Sequence, residues 1–296
     1  MEYRSDADLA YVGRGLSSEE LKPVLQGVPD TSLLQTRVLA LSPTFIAMRF
    51  PPGSKTPSIP NAAVCFSDMV EALVEAQYAL GQGLISLAVY RQKAPFEPGA
   101  VSQASFYLSD VASRLYSAGE HVAAGICDTL GISESDLDSG KREKRVSRQS
   151  KLAKYLRRQL PADHTLVKAG AVLAAHSEWF LISEYRSKSV HSQSPTLAGL
   201  GITYQRGKQR WTTVVREDGS AVHQISVGGG DAPLAAIDDL LAKASTALQA
   251  FVVYAATVVE FYCFQLSQHG IKYDPATGTT TISCFGCVEA NSRRPV

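Results

Sequence analysis

The feature that most constrains the fold is a continuous apolar stretch near the C-terminus, ALQAFVVYAATVVEFYCFQL at residues 247–266. This stretch is long enough to cross a bilayer if it is helical. It also carries Gln249, Glu260 and Gln265, and the other helical patterns in the chain are equally apolar. We therefore interpret it as a core helix, which has to be buried against other long helices.

The composition excludes several classes of protein. Hydrophobic residues make up 45% of the 296-residue chain, which argues against global disorder and allows one large domain or two small ones. The net charge of +1 argues against a polycation, so nucleic-acid binding would require local clusters of charge. Five cysteines favour a reducing compartment, and the first residues lack the apolar segment of a signal peptide. We expect a cytoplasmic protein that does not enter a membrane.

Two long helices are predicted in the first half of the chain from the spacing of their apolar residues. One covers residues 67–92, with Ser67 as its N-cap and acidic residues in its first turn. The other covers residues 101–132 and ends at Gly131, a residue typical of C-caps. Its apolar residues recur at spacings of three, four or seven and form one core-facing stripe: Leu108, Val111, Leu115, Val122, Ile126 and Leu130.

A third helix is predicted from about residue 164 to residue 186. The spacing of the apolar residues then changes to the two-residue period of β-strands. Residues 211–227 predict a hairpin around Asp218-Gly219. A last helix is expected over about residues 232–268. The predicted fold is therefore all-α, a bundle of four to five long helices with a β-hairpin inserted before the last long helix.

The two ends of the chain have less regular patterns than its middle. Residues 1–60 predict an irregular or β-like extension, with β-like runs in residues 36–50 before a proline-rich segment. The helical domain is expected over residues 61–270, with the hairpin insert at about 202–228, and a turn-rich tail over residues 271–296. The predicted organisation therefore has three parts, and the middle part holds the core.

The segment that looks most like a chemical motif is EYRSKSVHSQSP at residues 184–195. It places Arg186 next to a small polar residue, Ser187, and His191 follows. A guanidinium at this position needs a partner or an anion, because it continues an apolar stripe of the predicted third helix. That stripe consists of Val172, Ala175, Trp179, Ile182 and Arg186.

Other arginine–histidine pairs have a similar spacing, since about one is expected by chance in a chain of this composition. The competitors are Arg114…His121, Arg157…His164, Arg158…His164 and Arg216…His223. One of them spans the predicted hairpin turn, two cross Pro161, and the pair in the middle of a helix, Arg114…His121, stays an alternative. The pair Arg186…His191 is favoured because it combines a long apolar helix, a polar residue after the arginine and an expected helix end.

The motif and the helical layout of residues 62–270 resemble the HEPN (higher eukaryotes and prokaryotes nucleotide-binding) superfamily. Its signature is an arginine, usually followed by a polar residue, and then a histidine near the end of a long helix. Many HEPN domains are metal-independent ribonucleases of antiviral defence systems and toxin–antitoxin pairs. The resemblance implies an endoribonuclease that acts on RNA as a homodimer with one composite site, and a cognate antitoxin or regulatory protein.

This sequence departs from the HEPN pattern at two positions. Ser187 replaces the more common asparagine or aspartate. Some HEPN toxins carry a tyrosine two places after the histidine, which a nucleotidyltransferase antitoxin modifies, whereas this chain has Gln193 there. That form of regulation is therefore not expected.

The chemistry that such a pair supports is cleavage of RNA by its own 2′-hydroxyl group, which leaves a 2′,3′-cyclic phosphate. His191 serves as the base because the ordinary pKa of histidine is near neutrality, and Arg186 stabilises charge on the phosphate oxygens. Ser187 orients either group or donates to phosphate, and neither a metal nor a cofactor is expected. Positions 186 and 191 lie about 140° apart around a straight helix. The two therefore converge only if the helix ends or bends near residues 187–189, or if they meet across a dimer.

The segment KREKRVSRQSKLAKYLRR at residues 141–158 has nine basic residues and one glutamate. If it is helical, Leu152 and Leu156 share one face and four basic residues share another: Arg148, Lys151, Lys154 and Arg158. Together with Lys188 beside the motif, these four residues are expected to bind RNA phosphates. A solvated face or a disordered linker is the alternative interpretation.

Two other functions are compatible with the same residues. One is a non-catalytic HEPN-like module that dimerises or docks another protein, and the other is a nucleotide-binding regulator that uses the basic face. Cys284 and Cys287 have the spacing of metal ligands, but no second such pair accompanies them in the sequence. No metal site is therefore expected.

Overall fold

The computed structural model describes residues 16–47, 50, 58–92, 98–137, 147–191, 197–198, 209–215, 221–227 and 235–282. These residues are mostly helical, which confirms the predicted all-α class. The helices are α1 (Ser18–Leu25), α2 (Ser32–Ala40), α3 (Pro43–Ala47), α4 (Ile59–Gln92), α5 (Pro98–Leu130), α6 (Glu134–Leu137), α7 (Arg148–Gln159), α8 (Thr165–Ala175), α9 (Ser177–His191) and α10 (Ile237–Gln268). The strands are β1 (Leu197–Ala198), β2 (Gln209–Val215), β3 (Ala221–Val227), β4 (Ala235–Ala236), β5 (Ile271–Asp274) and β6 (Thr279–Ile282).

The chain forms two compact units, and each of the long helices α4, α5 and α10 contributes residues to both. The first unit comprises the described residues within Met1–Asp30, Ala72–Tyr116 and Leu173–Phe251. The second comprises those within Thr31–Glu71, Ser117–Val172 and Val252–Val296. The predicted division into three parts, with boundaries at residues 60 and 270, stays a prediction.

The first unit packs α1 against the second half of α4. Helix α1 begins with a capping box, in which the Ser17 hydroxyl accepts from Glu20 N and the Glu20 carboxylate accepts from Ser17 N. Its buried Leu21 belongs to a core cluster with residues of α4: Leu16, Leu21, Ile85, Ala88 and Val89. Elsewhere in this unit Trp179 of α9 stacks on Phe251 of α10, with their ring centroids 5.0 Å apart.

The second unit has an aromatic centre on α10. The buried Tyr262 hydroxyl donates to Ile59 O at 2.7 Å, and its ring centroid lies 5.0 Å from that of Phe66. Phe66 in turn packs against the backbone of α5 at Gly125, where a side chain would collide with the ring. Glycine at this position therefore lets α4 and α5 approach each other closely.

Substitution of Gly125 by alanine is expected to destabilise the protein by about 1–3 kcal/mol through overpacking. A Cβ atom at position 125 would lie 2.7 Å from Cε1 of Phe66. The matched control is Gly170→Ala in α8, where no atom of the described residues lies within 4 Å of the added Cβ. That control should stabilise its helix by about 0.5–1 kcal/mol. Urea unfolding of both variants measures the two changes, and equal effects would contradict the close packing at position 125.

The predicted start of the first long helix is wrong. Helix α4 begins at Ile59, and the Ser67 hydroxyl donates to Ala63 O at 3.0 Å inside the helix rather than capping it. Pro60 is compatible with this start because the amide hydrogen that proline lacks has no partner in the first turn of a helix. The second predicted helix agrees better, because α5 covers Pro98–Leu130 and Gly131 follows it with a φ of 67°.

Within α5 the predicted core-facing stripe is confirmed. Five of its six members are buried and Leu130 is half-buried. The spacing of three, four or seven residues therefore identified the face of this helix that packs inward.

The predicted β-like character of residues 36–50 is wrong, because α2 and α3 occupy most of this segment. The buried residues Leu34, Val38 and Leu41 are spaced by four and three, which is the period of a helix. The β-like interpretation followed the residue types in this segment and overlooked that spacing. Here the burial of one helical face overrides the local preference of the residues.

Strands β2 and β3 pair antiparallel with Trp211 opposite Ile225, and the predicted turn at Asp218-Gly219 lies outside the described residues. The tail contains a second antiparallel pair, β5 and β6, where only turns were predicted. The turn between β5 and β6 uses Gly278 at a φ of 65°, and Asp274 Oδ1 accepts from Ala276 N at 2.9 Å. The alternation of apolar and polar residues in IKYD and TTTI was too short to predict strands.

Two helices are long and apolar enough to cross a membrane, over Ile59–Val89 and Asp239–Gln268. Most of the apolar segment of α4 is buried inside the protein. In α10, somewhat less than half of the apolar segment is buried. Core helices of water-soluble proteins have the same length and composition, so this finding is weak evidence for a membrane protein.

Candidate functional site

The helix that carries the Arg186–His191 motif is shorter than predicted. The expected third helix is divided at His176 into α8 (Thr165–Ala175) and α9 (Ser177–His191). His176 Nδ1 lies 3.2 Å from Glu178 Oε2 in the first turn of α9, although their geometry is not that of a hydrogen bond. Because the break changes the helical register, the predicted stripe divides as well. Val172 and Ala175 are exposed, whereas Trp179 and Ile182 are buried.

Arg186 is half-buried on the continuation of the Trp179–Ile182 face, as predicted. Its Cζ atom lies 3.7 Å from the centroid of the Tyr116 ring of α5. Its Nε atom is buried as well. This is a cation–π contact, which holds the guanidinium flat on an aromatic face and is favourable where water is partly excluded. The Tyr116 ring therefore supplies part of the stabilising contact that the half-buried Arg186 guanidinium requires.

The residue before Arg186 fixes the same part of α9 on α5. Tyr185 is buried, and its hydroxyl lies 2.8 Å from Ser109 Oγ. Ser109 Oγ donates its one hydrogen to Ser105 O at 3.1 Å, so we assign Tyr185 as the donor to Ser109. Burial raises the pKa of the Tyr185 hydroxyl, which keeps it protonated and able to donate. Tyr185 and Arg186 thus contact one side of α5, two turns apart.

The predicted end of the third helix at about residue 186 is wrong, because α9 continues to His191. Positions 186 and 191 of a continuous helix are about 140° apart around its axis. Within one chain they therefore do not share a face of a straight helix, and their meeting across a dimer stays a prediction. Ser187 is exposed, and the side chains of Lys188 and His191 lie outside the described part of the structure.

The competing pairs have structural contacts where they are described. Arg114 forms ion pairs with Glu75 at 2.5 Å and with Asp110 at 3.3 Å. His121 Nδ1 lies 3.9 Å from Asp68 Oδ2. His164 Nδ1 accepts from Leu166 N at 3.2 Å in the first turn of α8. Contacts within the fold thus engage Arg114, His121 and His164. Arg157 and Arg158 are exposed on the helix α7, and Arg216 lies outside the described residues.

Part of the basic segment forms α7, and its buried residues are Leu152 and Leu156, as the predicted faces require. Its exposed face includes Lys154, Arg157 and Arg158, while Lys151 is half-buried. Arg157 was not among the predicted RNA-binding residues, although helical geometry places it beside Lys154. Arg148 lies nearer the leucine face and forms an ion pair with Glu134. That carboxylate competes with phosphate for the Arg148 guanidinium.

Helix α7 is anchored at its N-terminus by a carboxylate from α5. The Glu120 oxygens accept from the backbone amides of Arg148 at 3.1 Å and Gln149 at 3.3 Å. The Ser147 hydroxyl caps the same helix by accepting from Ser150 N. A negative charge there also compensates the helix dipole. The basic face is therefore carried by a docked helix in the second unit, whereas Arg186 belongs to the first unit.

The described cysteines do not have the properties of nucleophiles. Burial raises the pKa of Cys65 to about 11 and that of Cys127 to about 12, so both thiols are protonated at neutral pH. Cys65 donates to Asp128 Oδ2 at 3.8 Å. No three potential metal ligands come together among the described residues, and Cys284 and Cys287 lie outside them.

Comparison with known proteins finds no match to this chain. No family model matches the sequence, and neither a curated protein nor a solved structure is significantly similar to it. The HEPN resemblance therefore rests on the Arg186–His191 motif and the helical character of the chain.

Proposed function

We propose that this chain is a metal-independent endoribonuclease of the HEPN type, which cleaves RNA at a site completed by a second copy. The observation that carries the proposal is the Arg186 guanidinium, which is held over Tyr116 on a helix that continues to His191. A guanidinium that lies on an aromatic face keeps its donors in its own plane, and such a group can bind a phosphate with two hydrogen bonds. We also propose that the long helices form a bundle of four to five helices with an inserted β-hairpin.

The proposed site takes Arg186 and Ser187 from one protomer and His191 from its partner. The helical path between positions 186 and 191 separates them on a single chain, so an isologous dimer is the arrangement that supplies both. His191 removes the proton of the RNA 2′-hydroxyl, and the 2′-oxygen bonds to phosphorus while Arg186 stabilises the charge on the phosphate. The bond from phosphorus to the 5′-oxygen breaks, and the departing 5′-oxygen takes a proton from water. A cytoplasmic location and a cognate inhibitor follow from the same resemblance.

The exposed face of α7 is the proposed RNA-binding surface, because Arg148–Gln159 contains no acidic residue and shows several cations to solvent. Its residues are Lys151, Lys154, Arg157 and Arg158. Lys188, which belongs to the first unit, stays a separate predicted RNA contact. Arg148 is also a predicted member of this surface, and its ion pair with Glu134 competes with phosphate.

The difference between Arg158 and Arg148 makes this surface testable. Arg158→Gln is expected to lower the slope of log affinity against log salt by about 1, since one phosphate contact is lost. Arg148→Gln should leave that slope nearly unchanged, because its guanidinium is engaged by Glu134. Fluorescence anisotropy with labelled RNA over a range of KCl concentrations measures both, in a His191→Ala background that prevents cleavage. Equal slopes for all the proteins would exclude α7 as the RNA-binding surface.

The nuclease proposal is tested by incubating the purified protein with RNA in EDTA. Wild type should cleave it to products with 2′,3′-cyclic phosphate ends, whereas Arg186→Ala and His191→Ala should each lose about 10²–10⁴-fold in rate. If no form cleaves RNA, or if all forms cleave it equally, the nuclease proposal is wrong.

The second candidate function is a non-catalytic HEPN-like module for dimerisation or protein docking. It is favoured by the stacking of Arg186 on Tyr116, since such a contact also stabilises a helix pair without chemistry. The same variants separate the two functions. A binding module loses stability on Arg186→Ala, keeps it on His191→Ala, and cleaves RNA in neither case.

A further inference from the structure

We propose that Tyr116 is a positioning residue, which sets the orientation of the Arg186 guanidinium for phosphate. This inference rests on the proposed ribonuclease function and adds a residue that the HEPN signature does not contain. Tyr116 lies in α5, seventy positions before Arg186 in the chain, and is half-buried.

The Arg186 guanidinium lies directly against the Tyr116 ring. A separation of 3.7 Å between Arg186 Cζ and the Tyr116 centroid places the guanidinium in van der Waals contact with the face of the ring. The five N–H donors of a guanidinium lie in its own plane. A ring on one face therefore occupies none of those donor directions, and it restricts rotation of the side chain.

The Tyr116 ring is also held in place relative to α9. Ser109 and Tyr116 are seven residues apart on α5 and so lie on one face of that helix. Ser109 contacts Tyr185, and Tyr116 contacts Arg186. Tyr185 and Arg186 are consecutive residues of α9. Because the Tyr185 side chain is buried, its contact with Ser109 fixes the position of α9 along α5 next to the Arg186–Tyr116 contact. Pre-organisation of this kind lowers the reorganisation that a catalytic cation needs during the reaction.

The test compares Tyr116→Leu, which removes the ring, with Tyr116→Phe, which keeps it. Tyr116→Leu is expected to lower kcat for RNA cleavage about tenfold with little change in KM, because oriented phosphate contacts count mainly in the transition state. Tyr116→Phe should retain nearly wild-type kcat. Tyr78→Leu in α4 is the surface control, since Tyr78 is 54% exposed. Unfolding midpoints of all three variants show whether they remain folded.

A second arm asks whether Tyr116 acts through Arg186. In an Arg186→Ala background, Tyr116→Leu should reduce cleavage no further, because the group that it orients is already gone. A further tenfold loss in that background would assign Tyr116 a structural role and overturn the proposal. Unchanged kcat for Tyr116→Leu in the otherwise wild-type protein would overturn it as well.

A third experiment detects the contact between Arg186 and Tyr116 without measuring RNA cleavage. The Arg186 Nε–H resonance should be shifted upfield by the aromatic ring in wild type and Tyr116→Phe, and should lose that shift in Tyr116→Leu. If this signature is present but wild type cleaves no RNA, the proposed function fails and the positioning role in cleavage fails with it. If wild type cleaves RNA but the signature is absent, only the inference about Tyr116 is overturned.

Discussion

A mixed dimer of Arg186→Ala and His191→Ala subunits is expected to cleave RNA, although neither variant alone does so. In a two-fold dimer the composite site holds two Arg186–His191 pairs, each shared between the subunits. The mixed dimer keeps one of these pairs intact, so activity should reach about half of the wild-type value. The mixed dimer is obtained by co-expressing the two chains with different tags and purifying through both. Cleavage of a labelled RNA in EDTA measures the recovery.

The control is a doubly tagged dimer in which both subunits carry Arg186→Ala. It has the same tags and quaternary state but no intact Arg186–His191 pair, so it should stay inactive. An inactive mixed dimer beside an active wild type would contradict a site shared between subunits. In that case Arg186 and His191 would have to act within one chain, despite their separation of about 140° around α9.

Replacing Tyr262 by alanine should be the most destabilising single change in the second unit. Its fully buried ring packs against Phe66, and truncation of a buried aromatic side chain costs about 3–5 kcal/mol. Tyr262→Phe keeps the ring but leaves Ile59 O without its 2.7 Å hydrogen bond. That variant should lose about 1–3 kcal/mol. The free energy of unfolding in guanidinium chloride is the measurement for both.

The matched control for Tyr262 is Phe264→Ala on the same helix. Phe264 is 61% exposed, so its truncation should change stability by about 0.5 kcal/mol or less. A loss for Phe264→Ala as large as the loss for Tyr262→Ala would contradict the assignment of Tyr262 to the core. It would indicate that the outer face of α10 is also covered by protein in solution.

The sequence predicted the helices better than it predicted their ends. The stripe in α5 and the two leucines of α7 follow directly from spacing, because a helix has one period and must bury one face. The positions of the helix ends depend on smaller differences in free energy than the burial of a helix face does. Ser67 is a good N-cap by residue type, but the chain extends α4 back to Ile59 because the residues there are also buried. Similarly, residues 36–50 have β-like residue types but a helical burial pattern.

The candidate site was only partly predictable. Arg186 was expected on an inward-facing stripe, and its half-buried position agrees with this. Its contact with Tyr116 could not be predicted, because it joins two helices whose pairing no local pattern specifies. The break at His176 and the continuation of α9 to His191 also depend on packing. Arg148 was grouped with the RNA-binding residues because nothing in the sequence indicates that Glu134 lies beside it.

By itself, the sequence determined the helical class, the inward faces of α5 and α7, and the position of the Arg186–His191 motif. These depend on spacing along one chain, and a helix converts spacing into direction. The groups that contact Arg186 and Arg148 depend instead on how the helices pack. Tyr116 lies beneath Arg186 and Glu134 lies beside Arg148 because helices that are distant in sequence pack together. The physical reason is that partners of charged groups are chosen by three-dimensional proximity and burial, which the order of residues does not contain.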